Sequence, residues 1–137
     1  SSGLVGDDAL DTIFSCEYTK DSDVGTYVIT PTDCTFTSGV KNNYNIEYVN
    51  GTLSIYGSSY NKTSKTVKIY SKYDTDIDCY IVSYAENGTL DGIKKEHCSL
   101  KADKISTIDI SSLKISENDS IKIFLWDNNL TPVEITN

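Results

Sequence analysis

The 137-residue sequence contains no methionine, no arginine, two prolines, one histidine and one tryptophan. Each shortage narrows what the chain can do. Without arginine there is no planar guanidinium fork for two-point capture of phosphate or carboxylate, and all twelve cationic side chains are lysine. Twenty acids set against them give a net charge of −8. Such a surface repels phosphate backbones and anionic lipid, which argues against nucleic acid and membrane surfaces as partners. No apolar run approaches the roughly 18 residues that span a bilayer, and no signal peptide precedes the first Ser. The missing methionine makes the sequence read as a mature form or an excerpt. Two Pro and eight Gly are too few for a disordered or collagen-like chain. Helical periodicity is the last absence, since nowhere do ten residues repeat with it.

Four cysteines, Cys16, Cys34, Cys79 and Cys98, show no CxxC spacing. With His97 as the single histidine, no metal or other cofactor is expected. The even count suggests two disulfides, one in each half, with free buried thiols as the alternative. The first bridge would close a loop of about 18 residues, a gain of roughly 3 kcal/mol by loop entropy. There is no phosphate loop and no nucleophile elbow. His97 has no Ser, Cys or Asp at a diagnostic spacing, and none of the acids falls in a motif for paired-carboxylate hydrolysis of glycosides. The expectation is a chain that is not an enzyme.

What the sequence has in quantity is period-2 alternation. In residues 24–55, VGTYVIT sets Tyr27 and Ile29 on one face, and NYNIEYV sets Tyr44, Ile46 and Tyr48 on one face. Asn50-Gly51 then predicts a two-residue type I′ hairpin pairing Tyr48 with Leu53 and Ile46 with Ile55, because both turn residues tolerate positive φ. Residues 12–18 read as an earlier strand. Pro31 is expected to end the strand VGTYVIT or mark its edge, since it cannot donate to a ladder. Residues 57–63, from GSSYNKTS, read as a linker. Beyond it strands are expected at 65–70, 77–84, 92–100, 105–110 and 120–126, with an edge strand at 132–135. IDCYIVSY is apolar on both faces, as suits a central strand. Asn87-Gly88 marks a second hairpin; pairing Cys79 with either Glu96 or Cys98 would place both cysteines on one face, opposite or diagonal, where a bridge is expected to be possible. The charge divides unevenly. Residues 1–56 hold eight acids and two lysines, and residues 57–137 hold twelve acids and ten lysines. The fold class is all-β, in two small modules at 1–56 and 64–137.

Two family resemblances rest on these motifs. FSCEYTKDSDVGTYVITP and NYNIEYVNGTLSI, with GLVGDDALD before them, make residues 3–56 resemble the MBG-type repeat of large bacterial surface and secreted proteins. Such repeats begin with one or two further strands, not found in this chain, so an unpaired edge or a gap filled by another segment is implied. YIVSYAENGTLDGIKK and IKIFLWDNNLTPV make residues 64–133 similar to a β-sandwich module near the C-termini of clostridial surface and carbohydrate-active proteins. Together they imply an Ig-like sandwich or β-grasp-like sheet followed by an Fn3/Ig-like sandwich. They also imply an extracellular or cell-wall location in a low-GC Firmicute.

Few residues stand out as sites. Asp74, Asp76 and Asp78 form DTDID, but a helix–loop–helix calcium site needs Gly and a bidentate acid where Cys79 and Ala85 stand. A solvated acidic turn explains them better, as it does Asp7, Asp8 and Asp11. Asn50, Asn61, Asn87, Asn118 and Asn129 lie in N-x-S/T sequons, which matter only in a eukaryotic secretory route. Most of the ten tyrosines occupy strand positions that packing explains. Trp126, at a strand end beside Asp127, is the candidate for stacking on sugar. The leading reading is a non-catalytic spacer module whose partners are neighbouring domains of its own polypeptide. The alternative is a glycan- or mucin-binding accessory module of an adhesin or carbohydrate-active enzyme.

Overall fold

The computed structural model describes residues 2–136 and divides the chain into two units, residues 1–22 with 26–54 and residues 23–25 with 55–137. Both are built from antiparallel strands, and among the described residues the one helical element is a 3-10 turn at Lys41–Asn43.

In the first unit, β1 (Ala9–Cys16), β2 (Gly25–Ser38) and β3 (Gly51–Ile55) form a sheet with β2 in the middle. Pro31 does not end the strand as its missing N–H led us to expect. It lies inside β2, opposite Phe14, where the register shifts between Ile13 and Phe14. The extra residue of this bulge is Thr32, next to Pro31, so the ladder is already interrupted beside the residue that has no N–H to donate. The expected Asn50-Gly51 hairpin does not form. Residues 44–50 carry no ladder, neither turn residue has positive φ, and β3 joins the sheet beside β2. A 14-residue strand offers partners on both sides, and that non-local pairing outcompetes the local turn. The segment 44–49 is tied down by side chains. Tyr44 stacks on Phe36 with ring centres 5.2 Å apart and donates its hydroxyl to Asp8 Oδ2 at 2.5 Å.

The second unit holds β4 (Gly57–Asn61), β5 (Thr66–Ser71), β6 (Thr75–Tyr84), β7 (Leu90–Leu100), β8 (Lys104–Asp109) and β9 (Ser120–Trp126). They form two sheets, ordered β4-β5-β8 and β7-β6-β9. One core joins them: Val67 and Ile69 of β5 and Ile108 of β8 pack with Ile77, Cys79 and Ile81 of β6 and Cys98 and Leu100 of β7. This is a small β-sandwich. Gly57–Asn61, expected as linker on composition, is a strand. Its Tyr60 pairs opposite Val67 and packs on the core, which the polar residues around it concealed. The Asn87-Gly88 hairpin does form: Gly88 takes φ of 81°, and Asn87 Oδ1 accepts the Thr89 N–H at 3.0 Å. Residues 132–135 make a single bridge, Trp126 to Pro132, in place of the expected edge strand, and Ile135 drops into the core. Residues 23–25 belong to this unit. Asp23 accepts hydrogen bonds from Lys68 Nζ at 2.7 Å, Ser59 Oγ at 3.1 Å and Asn61 Nδ2 at 3.5 Å, and Lys68 foremost holds its carboxyl below the ordinary value.

All four cysteines are free thiols, which corrects the two expected disulfides. Cys16 faces Ile29 and Cys34 faces Thr12, so four residues of β1, roughly 14 Å at about 3.4 Å each, separate them. Cys79 faces Glu96 and Cys98 faces Ile77, a diagonal relation. Diagonal neighbours stand roughly 7–8 Å apart, beyond the roughly 5.5–6 Å between Cα atoms that a bridge usually spans, which overturns the expected bond. Burial pushes the Cys79 thiol up to about 12, which leaves it unreactive.

Two measurements check this description. Thiol alkylation of the native protein should label exposed Cys16 readily, with Cys34, Cys79 and Cys98 reacting only on unfolding. Four equally fast thiols, or none, would contradict the burial. Ile81→Ala, at a fully buried position, should lower stability by about 2–5 kcal/mol in urea denaturation. Phe14→Ala, at a side chain 61% exposed, should change little by comparison.

Candidate functional site

The site begins with the alternation of β9, SIKIFLW. Ile121, Ile123 and Leu125 turn inward and pack on the core, which leaves Lys122, Phe124 and Trp126 on the outward face. β6 supplies the same outward face with Asp78, Tyr80, Val82 and Tyr84, because Ile77, Cys79 and Ile81 point in. Register then brings these residues together in rows across the sheet. Lys95 faces Tyr80, which faces Phe124; His97 faces Asp78, which faces Trp126; Ile93 faces Val82, which faces Lys122. Pro132, bridged to Trp126, extends the second row by one residue.

The result is an aromatic cluster with charges along its margin. The Trp126 ring lies 5.1 Å from that of Tyr80 and 5.7 Å from that of Phe124, with interplanar angles of 50° and 48°. All three are partly exposed. Lys95 Nζ stands 5.4 Å from the centre of the Tyr80 ring and donates to Asp78 Oδ2 at 2.6 Å. His97 Nδ1 is 3.1 Å from the other Asp78 oxygen. Lys122 Nζ stands 5.4 Å from the centre of the Tyr84 ring, and among the described residues no carboxylate lies within ion-pair distance of it.

Of the two residues singled out from the sequence, Trp126 lies at the centre of this cluster and Asp127 does not join it. The Asp127 carboxylate accepts the backbone N–H groups of Asn129 and Thr131, each at 2.8 Å, and so shapes the turn after β9. Sequence reading missed Tyr80, Phe124, Lys95 and Lys122. The outward parity of Phe124 was visible in the alternation of SIKIFLW, but their grouping depends on cross-strand register. The DTDID carboxylates do not converge: Asp74 caps Ala102 N at 2.8 Å and pairs with Lys101, while Asp78 pairs with Lys95 and His97. Among the described residues no group of three or more His, Cys, Asp or Glu could hold a metal ion.

The first unit offers a different feature, a groove of about 510 Å³ between the sheet face carrying Leu10, Phe14 and Phe36 and the segment around Tyr44 to Val49. Cys34 forms part of its floor and is the one buried residue among those described in that unit. Tyr48 Oη lies 3.5 Å from Cys34 Sγ, and this hydrogen bond first, then burial and the Asp33 carboxylate, push the Tyr48 hydroxyl up to about 12.

Lys95 first, and His97 after it, hold the Asp78 carboxyl below its ordinary value of 3.8. The folded state therefore binds that proton less readily than the unfolded chain. The resulting stability is complete above the unfolded value and is lost as pH falls through the folded one. The urea midpoint of the second unit should drop as pH falls from the unfolded value through the folded one, and Asp78→Asn should flatten part of the drop. The rest belongs to Asp23, Asp74 and Asp109, whose carboxyls are also depressed. Superimposable acid profiles for the variant and the parent would show that pairing at Asp78 contributes nothing.

Comparison with known proteins gives one match: residues 1–54 fit the family model of the MBG domain (YGX type). No curated protein and no solved structure matches the chain. The likeness of residues 64–133 to a clostridial surface-protein module rests on its motifs alone.

Proposed function

We propose, on the footing that residues 1–54 are an MBG-type repeat, that this chain is a non-catalytic structural segment of a secreted or cell-wall-attached bacterial surface protein. The observation that carries this reading is the succession of that repeat and a second β unit with its own hydrophobic core. A unit that buries its own apolar surface holds its shape independently of the domains joined to it. The second unit is of that kind, and serves as a spacer for whatever is joined to it. Its partners are then the neighbouring domains of the same polypeptide, and its location is extracellular. Among the described residues no helix is long and apolar enough to cross a membrane.

A second reading, a glycan- or mucin-binding accessory module of an adhesin or carbohydrate-active enzyme, is favoured by one observation: the aromatic cluster on the outward face of β6 and β9.

The structural reading is tested on the source bacterium. Antibodies raised against the chain should label intact cells, and protease shaving should remove the signal. Exchanging the segment in its parent protein for an unrelated β-sandwich of similar length should leave the parent's own activity in place. Labelling only after permeabilisation, or loss of that activity on exchange, would overturn the reading.

A further inference from the structure

We propose that the outward face of β7-β6-β9 binds a soluble acidic polysaccharide, a chain with carboxylates on its sugar rings. Trp126, Tyr80 and Phe124 supply the stacking surface, and Lys122 supplies the cation. This deepens the second reading above by naming the ligand's class, and it does not depend on the spacer role.

Three observations carry it. First, core packing does not account for these aromatics. The core that joins the two sheets is filled by Ile, Leu, Val and Cys with Tyr60, and none of Tyr80, Phe124 or Trp126 belongs to it. Large apolar rings grouped on an outward face and partly exposed are where a ligand's apolar face gains most by leaving water. Second, the ring planes meet at 50° and 48°, so the three form a ridge. A flat crystalline polymer needs coplanar rings; a ridge suits a single twisted chain whose successive sugars present different faces. Third, the charges are unequal. Asp78 occupies Lys95 and His97, whereas Lys122 faces outward beside the Tyr84 ring, with no carboxylate among the described residues within ion-pair distance. It stands two residues from Phe124 on the same face of β9, about 7 Å along the strand. A neutral sugar would leave that cation without a counter-charge; a ring carboxylate would supply one beside the stacking surface. The chain as a whole carries −8, so attraction to a polyanion must come from a local arrangement and not from its net charge.

Affinity electrophoresis of the full chain tests this, with gels containing polygalacturonate, hyaluronan or neutral hydroxyethyl cellulose. Retardation is expected in at least one uronate polymer and not in the neutral one, and it should weaken as salt is added. Trp126→Ala and Lys122→Gln should each weaken it about tenfold, equivalent to about 1.4 kcal/mol. Only Lys122→Gln should also abolish most of the salt dependence. Lys122 is exposed, so its variant tests the idea even if Trp126→Ala disturbs folding. Retardation in the neutral gel that depends on Trp126 would keep the glycan reading and overturn the acidic class. No retardation in any gel, or undiminished binding by Lys122→Gln, would overturn the proposal outright.

Discussion

Burial of β6 on both faces is the constraint on which the second unit depends. Ile77, Cys79 and Ile81 are fully buried inward, and Val82 and Asp78 are nearly so on the other side. A strand covered on both faces must be central, and a central strand needs a hydrogen-bonded neighbour at each edge. β7 and β9 are those neighbours. The inward half of β6 also needs an apolar layer opposite it, which Val67 and Ile69 of β5 and Ile108 of β8 provide. Burying Asp78 in turn requires a counter-charge, since an unpaired carboxylate there would be costly. Lys95 supplies it from β7, and the His97 ring stands 3.1 Å from the second carboxylate oxygen.

The first unit is organised by a strand of another kind. β2 is long, passes through a proline, and serves as the partner of both β1 and β3. With a bulge at Thr32 beside Pro31, one strand runs on past the point where the proline was expected to end it. Little is buried in return. Cys34 is enclosed, while Phe14, Ile13 and Val28 remain more than half exposed. Side-chain hydrogen bonds, Tyr44 to Asp8 and Tyr48 to Cys34, hold the segment over the sheet where a deeper apolar core would otherwise do so.

Much of the strand pattern is legible in the residues. The alternation in KTVKIY and SIKIFLW locates β5 and β9, the doubly apolar run IDCYIVSY locates β6, and Asn87-Gly88 locates the hairpin between β6 and β7. What can be read locally is local: period, turn chemistry and the side of a strand on which a residue lies. GSSYN hides its strand because most of its residues are polar and a single tyrosine carries the packing. Asn50-Gly51 misleads because a strong local turn signal loses to a distant strand. The cysteines show the same boundary. Their parity can be narrowed from the sequence, but opposite and diagonal placements differ only in register, and register decides whether two sulfurs can meet.

By itself the sequence determined an all-β chain in two parts, a first part recognisable as an MBG-type repeat, and Trp126 as the residue to watch. Only the tertiary structure decided what surrounds Trp126. Tyr80 lies 46 positions away in the chain, Lys95 lies 31 away, and their approach depends on β6 pairing with both β7 and β9. Hydrophobic alternation specifies the face on which a side chain lies, because adjacent residues point to opposite sides of a strand. It does not specify which strand lies alongside, because that choice is made by burial and hydrogen bonding summed over the whole sheet.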